Sequence, residues 1–299
     1  MTILTPVLGS RGSRWYSHAY NRAGLYRLAE GFGLLPRPLR LALARRVARL
    51  GLARLSSERT AARESLATMT GASGARLDEL TLRLFQNFAM CFSDLVSTNR
   101  RPTEELTAYV NRIEGAEDVA GLSGGLVSVT AHVGNWEMAG RLLAGRSARP
   151  THVVVTPDEA PELGRWVRRD GDGVRFVPRA DPGIGIALLL ALRRGEVVAL
   201  QGDRAIGTRG DVRIPFFGRP APFPLGPFLL ARAAGVPVVP AFCLLDGGYR
   251  YTVRVAPPIK VNRGEEEAAA HAWVGLLERI AREHPTQWFN FFDIWRPFA

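Results

Sequence analysis

A chain of 299 residues is long enough to form one large domain, or a core with a helical extension, around a sizeable interior. With 46% hydrophobic and 22% charged residues it is composed like a globular protein and not like a disordered one. A net charge of +11, carried by 38 arginines and the single lysine Lys260, implies attraction to anionic surfaces: lipid headgroups, nucleic acid or phosphorylated ligands. Cys91 and Cys243 both stand among apolar neighbours, which argues for a reducing compartment and against a disulfide framework. No metal-ligand cluster is evident. No apolar run reaches the ~18–20 residues that a membrane-spanning helix needs, and the start of the chain lacks a secretory pattern.

The first hundred residues read as helices. Arg37 to Leu55 sets Leu39, Leu43, Val47 and Leu50 on one side and most of Arg40, Arg45, Arg46, Arg49 and Arg54 elsewhere. Such a basic amphipathic helix suits either an anionic membrane interface or ordinary packing on a core. A second helix follows Ser57 and ends near Gly71. A third spans about Leu77 to Val96, with Leu80, Leu84, Phe88, Cys91 and Leu95 at helical spacing.

From about residue 115 the rhythm changes. Short β-branched runs at Leu126–Ala131, His152–Thr156, Val174–Val177, Val197–Leu200, Val236–Phe242 and Tyr249–Val255 alternate with helices near 136–144, 160–168, 182–194, 223–234 and 265–283. The expected fold is α/β: a mixed, mainly parallel sheet covered by helices on both faces, preceded by an N-terminal helical region. The division falls at 1–114 and 115–299, as one compact unit. Pro220 to Pro227 reads as an ordered loop. Ligands of such sheets bind beyond the carboxyl ends of the strands, where His132 and Asp203 both stand.

The most informative stretch is Thr130 to Ala139. An apolar strand delivers His132 to a glycine-containing turn, and Glu137 follows with four residues between. Histidine suits proton transfer near neutral pH, because its unperturbed pKa is about 6.5. A carboxylate can fix its tautomer and stabilise the imidazolium. With no placed Ser or Cys nucleophile, the pair suits activation of an incoming hydroxyl or water.

His132-Val133-Gly134-Asn135-Trp136-Glu137 resembles the His-x4-Glu signature of the bacterial lipid A biosynthesis acyltransferase family, a branch of the glycerolipid acyltransferase superfamily. The resemblance runs on through Arg179, Gly195 to Val198, Asp203, Pro215 to Gly218, Leu230 to Pro240 and the aromatic tail Trp288 to Phe291. It implies an O-acyltransferase that moves a fatty acyl group from an acyl-CoA or acyl-ACP co-substrate to a hydroxyl of a lipid or glycolipid, with no cofactor and no metal. By that resemblance His132 is the general base and Glu137 orients it. Arg179 binds phosphate or another anionic part of a substrate, and Asp203 and Arg204 fall on a block whose acidic and basic residues meet the acceptor or support the histidine. The backbone amides of Gly134, Asn135 and Trp136, at the mouth of the following helix, are candidate oxyanion donors to the substrate. The expected partners are the acyl thioester donor, with acyl carrier protein where it serves as donor, the lipid acceptor and an anionic membrane surface. The expected place is the cytoplasmic face of the plasma membrane, peripherally bound.

Two other classes fit the sequence less well. Gly121-Leu122-Ser123-Gly124-Gly125 matches G-x-S-x-G, but a serine-hydrolase elbow needs its strand before the serine, and here the strand follows. A nucleic-acid-binding protein fits the basic charge, but the arginines are scattered and no recognition motif is present.

Overall fold

The structure is a computed structural model that describes residues 23–98, 101, 103–147, 149–155, 171, 173–205, 207 and 210–296. Four helices open it: α1 (Ala23–Phe32), α2 (Arg37–Gly51), α3 (Ser56–Thr70) and α4 (Gly74–Thr98). Helix α3 ends where Gly71 takes a left-handed φ of 68° and its amide closes on the Ala67 carbonyl, the usual glycine stop. Strand β1 (Val110–Glu114) follows, so the region read as helical also contributes to the sheet.

The chain then alternates: β2 (Leu126–Thr130), α5 (Trp136–Ser147), β3 (Thr151–Val155), β4 (Val174–Pro178), α6 (Ile184–Arg193) and β5 (Val197–Gln201). A hairpin, β6 (Asp211–Phe216) and β7 (Arg219–Pro224), precedes α7 (Gly226–Ala234), β8 (Val238–Leu245), β9 (Tyr251–Val255) and α8 (Glu266–Glu283). The helix expected near 160–168 lies outside the described residues.

Among the described residues, seven strands form one sheet in the order β1-β9-β8-β2-β5-β3-β4. All neighbours are parallel except β8 and β9, so the sheet is mixed and mainly parallel, as expected. In β2, Val127 and Val129 are fully buried and Ser128 between them is nearly so. Successive strand residues point to opposite faces, so burial of all three means that both faces are covered.

The segment 211–224 differs from its sequence reading. Residues expected to form a proline-rich loop and the start of a helix are instead β7, paired antiparallel with β6 so that Pro215 faces Pro220. Proline removes a ladder donor, which a two-stranded ribbon outside the main sheet tolerates. Phe217 and Gly218, with φ of 50° and 75°, make the tight two-residue turn between the strands.

Helix α2, left open by the sequence between an interface and core packing, does pack on the core, but not through its leucine-valine stripe. Its core-facing side carries Leu41 and Arg40, both nearly inaccessible, with Ala44 and Ala48 packed alongside. Most of the leucine-valine stripe faces out: Leu39, Val47 and Leu50 are 56%, 59% and 73% exposed, and Leu43 is half-buried.

Candidate active site

Strands β2 and β5 run parallel in register, Leu126 beside Val197 through Thr130 beside Gln201. Each therefore ends at the same level, and each is followed within two residues by an ionisable side chain, His132 and Asp203. Gly202 makes the junction compact. A Cβ there would lie 2.7 Å from Val129 Cγ2 and 2.9 Å from Trp273 Nε1, and the indole of Trp273 donates to the Gly202 carbonyl at 3.0 Å.

His132 and Asp203 meet twice. Imidazole Nδ1 lies 2.8 Å from Oδ1 of Asp203, and the backbone amide of His132 donates to Oδ2 at 3.0 Å. Trp288 Nε1 donates to the same Oδ2 at 3.2 Å. Burial of Asp203 opposes ionisation, but the His132 charge and hydrogen bonds, with the nearby Arg204 charge, outweigh it and hold the carboxyl at about 2. Asp203 is thus an anion at any ordinary pH. A neutral imidazole donating Nδ1–H to it carries its lone pair on Nε2, the tautomer a general base requires. The side chain of His132 is 12% exposed against 1% for Asp203, so the imidazole stands between solvent and its partner.

The turn after His132 is fixed by its backbone. Gly134 has φ of 59°, and a Cβ there would lie 2.1 Å from the Cys243 carbonyl oxygen, so only glycine fits. The Gly134 amide donates to the Gln287 carbonyl at 2.9 Å and the Asn135 amide to that of Cys243 at 2.8 Å. These two amides, expected from the sequence as oxyanion donors, are engaged with carbonyls of the fold. The side chain of Asn135 is buried, with Nδ2 donating to the Cys91 carbonyl and the Tyr251 hydroxyl.

Glu137 stands in the first turn of α5, where a carboxylate complements the helix dipole. It lines a cleft with Thr130, Trp136, Val153, Leu200 and Gln201. The buried Oγ1 of Thr130 and Nε1 of Trp136 in that cleft have no hydrogen-bond partner among the described residues, and the Trp136 ring lies 4.9 Å from that of His132. The sequence reading gives Glu137 the orienting role; the carboxylate found on Nδ1 is that of Asp203.

Arg204 is half-buried beside Asp203. Its guanidinium donates to the Phe289 carbonyl at 3.1 Å and lies 5.3 Å from the Phe292 ring centroid. Arg179 is exposed just past β4, at the same carboxyl edge but two strands from β5. Arg213 and Arg219 lie on the hairpin, the first donating to the Pro220 carbonyl and the second 4.9 Å from the Trp295 ring centroid.

The sequence reading missed the part of the C-terminal tail in the site. Phe289 donates its amide to the His132 carbonyl at 2.8 Å, and Trp288 pairs with Val133. Nothing local in the aromatic run 288–292 marks which residues it touches. Ser123 sits before β2, at the end of the strand opposite to His132. The two cysteines are buried free thiols. Burial pushes Cys91 up to about 12 and Cys243 well above its ordinary value, so neither is a nucleophile. Among the described residues, no cluster of His, Cys, Asp and Glu is placed to hold a metal ion.

Residues 23–297 match the family described as bacterial lipid A biosynthesis acyltransferase. A phosphatidylinositol mannoside acyltransferase of Mycobacterium tuberculosis (strain ATCC 25618 / H37Rv) is 27% identical over 243 residues, covering 78% of this chain and 76% of that protein. One from Mycolicibacterium smegmatis is 26% identical over 174 residues, 57% of each chain.

Proposed function

Since the chain belongs to the bacterial lipid A biosynthesis acyltransferase family, we propose that this acyltransferase moves a fatty acyl group from a coenzyme A or acyl-carrier-protein thioester to a hydroxyl of a lipid or glycolipid, with His132 as general base. The observation that carries the reading is the His132–Asp203 pair at the carboxyl edge of the sheet, with Nδ1 tied down at 2.8 Å. As the acceptor oxygen attacks the thioester carbonyl, Nε2 takes the hydroxyl proton. The tetrahedral intermediate collapses with cleavage of the C–S bond, and the imidazolium returns the proton to the leaving thiolate.

Asp203 holds the ring and favours its charged form. Glu137 adds negative charge to the lining of the cleft. With the amides of Gly134 and Asn135 engaged, the unpartnered Nε1 of Trp136 is a donor able to meet the developing oxyanion. Arg204 and Arg179 supply cations for anionic parts of the donor or acceptor. The names of the relatives favour a mannosylated phosphatidylinositol or another glycolipid as acceptor. The test is release of free thiol from acyl-CoA or acyl-ACP that depends on an added lipid acceptor, with the acylated lipid identified by mass. Thiol release that ignores the acceptor and yields only free fatty acid would point to hydrolysis instead.

The same reading places the protein on a membrane surface. No helix among the described residues is long and apolar enough to cross a bilayer. Helix α2 offers the exposed Leu39, Val47 and Leu50 together with exposed Arg45, Arg46 and Arg49, and it contains no acidic residue. It lies at the catalytic end of the sheet, since Arg45 donates to the hydroxyl of Tyr249, which follows the carboxyl end of β8. Binding to anionic vesicles is expected to weaken steeply with added salt, because such attraction is screened within about 8–10 Å at physiological ionic strength. Arg45→Ala combined with Arg49→Ala should lower the vesicle-bound fraction in a flotation assay. Equal binding of wild type to neutral and anionic vesicles would deny α2 this role.

A further inference from the structure

Asp94, on α4, has no exposed surface. Its carboxylate accepts hydrogen bonds from Nε and Nη2 of Arg37 at 3.1 and 2.7 Å, from Nη2 of Arg40 at 2.8 Å and from the Tyr251 hydroxyl at 2.9 Å. Arg40 is itself only 4% exposed and also reaches the Ser93 hydroxyl. Two guanidinium groups on one buried carboxylate are an expensive way to seat a helix. Charges taken out of water recover their desolvation only when nearly every hydrogen bond is made, and apolar residues of equal volume often serve stability as well or better. Apolar packing does not fix direction, whereas this network does.

The network also leads somewhere. While the Tyr251 hydroxyl donates to Asp94, it accepts from Nδ2 of Asn135 at 3.3 Å. That amide also donates to the Cys91 carbonyl at 3.2 Å, and Oδ1 of Asn135 lies 3.4 Å from the Met138 amide, in the capping position of α5. A continuous run of hydrogen bonds therefore joins Arg37 and Arg40 on the membrane-facing helix to the residue three places after His132.

We propose that Asp94 is a positioning residue for acyl transfer: through Tyr251 and Asn135 it holds the turn from His132 to Glu137, and through Arg37 and Arg40 it ties that turn to the seat of α2. The proposal rests on the reading of His132 as the base. None of these groups need touch a substrate. A shift of α2 would reach the turn as a change in turnover, separate from any change in lipid affinity.

The test uses the full chain with Tyr251→Phe, which keeps the buried ring and removes both hydrogen bonds at its hydroxyl, and with Arg37→Gln. On a fatty acyl-CoA and a detergent-dispersed acceptor, Tyr251→Phe is expected to lower kcat about tenfold, since a small misplacement of a catalytic group costs that much or more. Its KM for acyl-CoA should stay within about twofold of wild type, a split that general loosening of the fold would not give. Arg37→Gln should move kcat in the same direction. Hydrogen exchange should quicken at amides 134–139 in both variants and stay unchanged in β2. A folded Tyr251→Phe protein with wild-type kcat overturns the proposal, as does a fall in kcat with wild-type exchange at 134–139. If wild type releases no thiol from any thioester, the acyl-transfer reading fails instead. Exchange at 134–139 then still decides whether Asp94 holds the turn.

Discussion

Replacing His132 with alanine is expected to lower acyl transfer by about 10²–10⁴-fold, the usual cost of losing a general base, while leaving the protein folded. The expectation of a folded product comes from what remains around Asp203. Stripping one partner from a buried ion pair is normally severe, because it leaves an uncompensated charge. Here the carboxylate keeps the backbone amide of residue 132 at 3.0 Å and the Trp288 indole N–H at 3.2 Å, and Arg204 still favours its charge. Turnover followed as thiol release, beside far-UV circular dichroism and a melting curve, separates lost chemistry from lost structure. Near-normal turnover in a folded His132→Ala protein would remove the imidazole from the mechanism.

Asp203→Asn is expected to cost on the order of 10³-fold in kcat, because an amide can turn its NH₂ toward Nδ1 and stabilise the wrong tautomer. The loss should exceed that of Glu137→Gln in the same assay, which decides which carboxylate orients the base; equal or reversed losses would return that role to Glu137. The pH dependence sharpens the test. A carboxyl held at about 2 in the folded protein, against about 3.9 when unfolded, contributes stability that is fully present above the unfolded value. That stability is lost as pH falls from about 4 through 2. At neutral pH the group stays ionised, so the acid limb of the pH–rate profile belongs to His132. In Asp203→Asn that limb should move to lower pH, since the negative charge favouring the imidazolium is gone.

The parts of this fold legible in the sequence are those that local pattern controls. The run Leu126 to Ala131 is β-branched and apolar because β2 is covered on both faces, and the observed strand, Leu126–Thr130, differs by one residue. The level at which strands end follows from parallel pairing, so His132 and Asp203 were legible as residents of one edge. Their direct bond was not. They are 71 positions apart, and no periodicity reports which of two nearby carboxylates will reach Nδ1. Glu137, close in sequence, drew the orienting role; register between β2 and β5 brought Asp203 to the ring. Helix α2 shows another limit: a hydrophobic stripe states that a helix has two sides, but not which one faces the core. Asp94 answers that from α4 by drawing Arg40 inward. The β6–β7 ribbon escaped because its prolines, read as loop, are tolerated where a strand has only one neighbour.

The outward stripe of α2 lies at the same end of the molecule as the imidazole. On the proposed reading, in which α2 rests on a bilayer, the acceptor's hydrocarbon tails would stay among their neighbours while only its polar end is presented to His132. Encounter then becomes a lateral search across a plane, with acceptor abundance counted per unit area, while the thioester arrives from the volume above. One substrate would then be met in two dimensions and the other in three, and their concentrations would not trade against each other on a common scale.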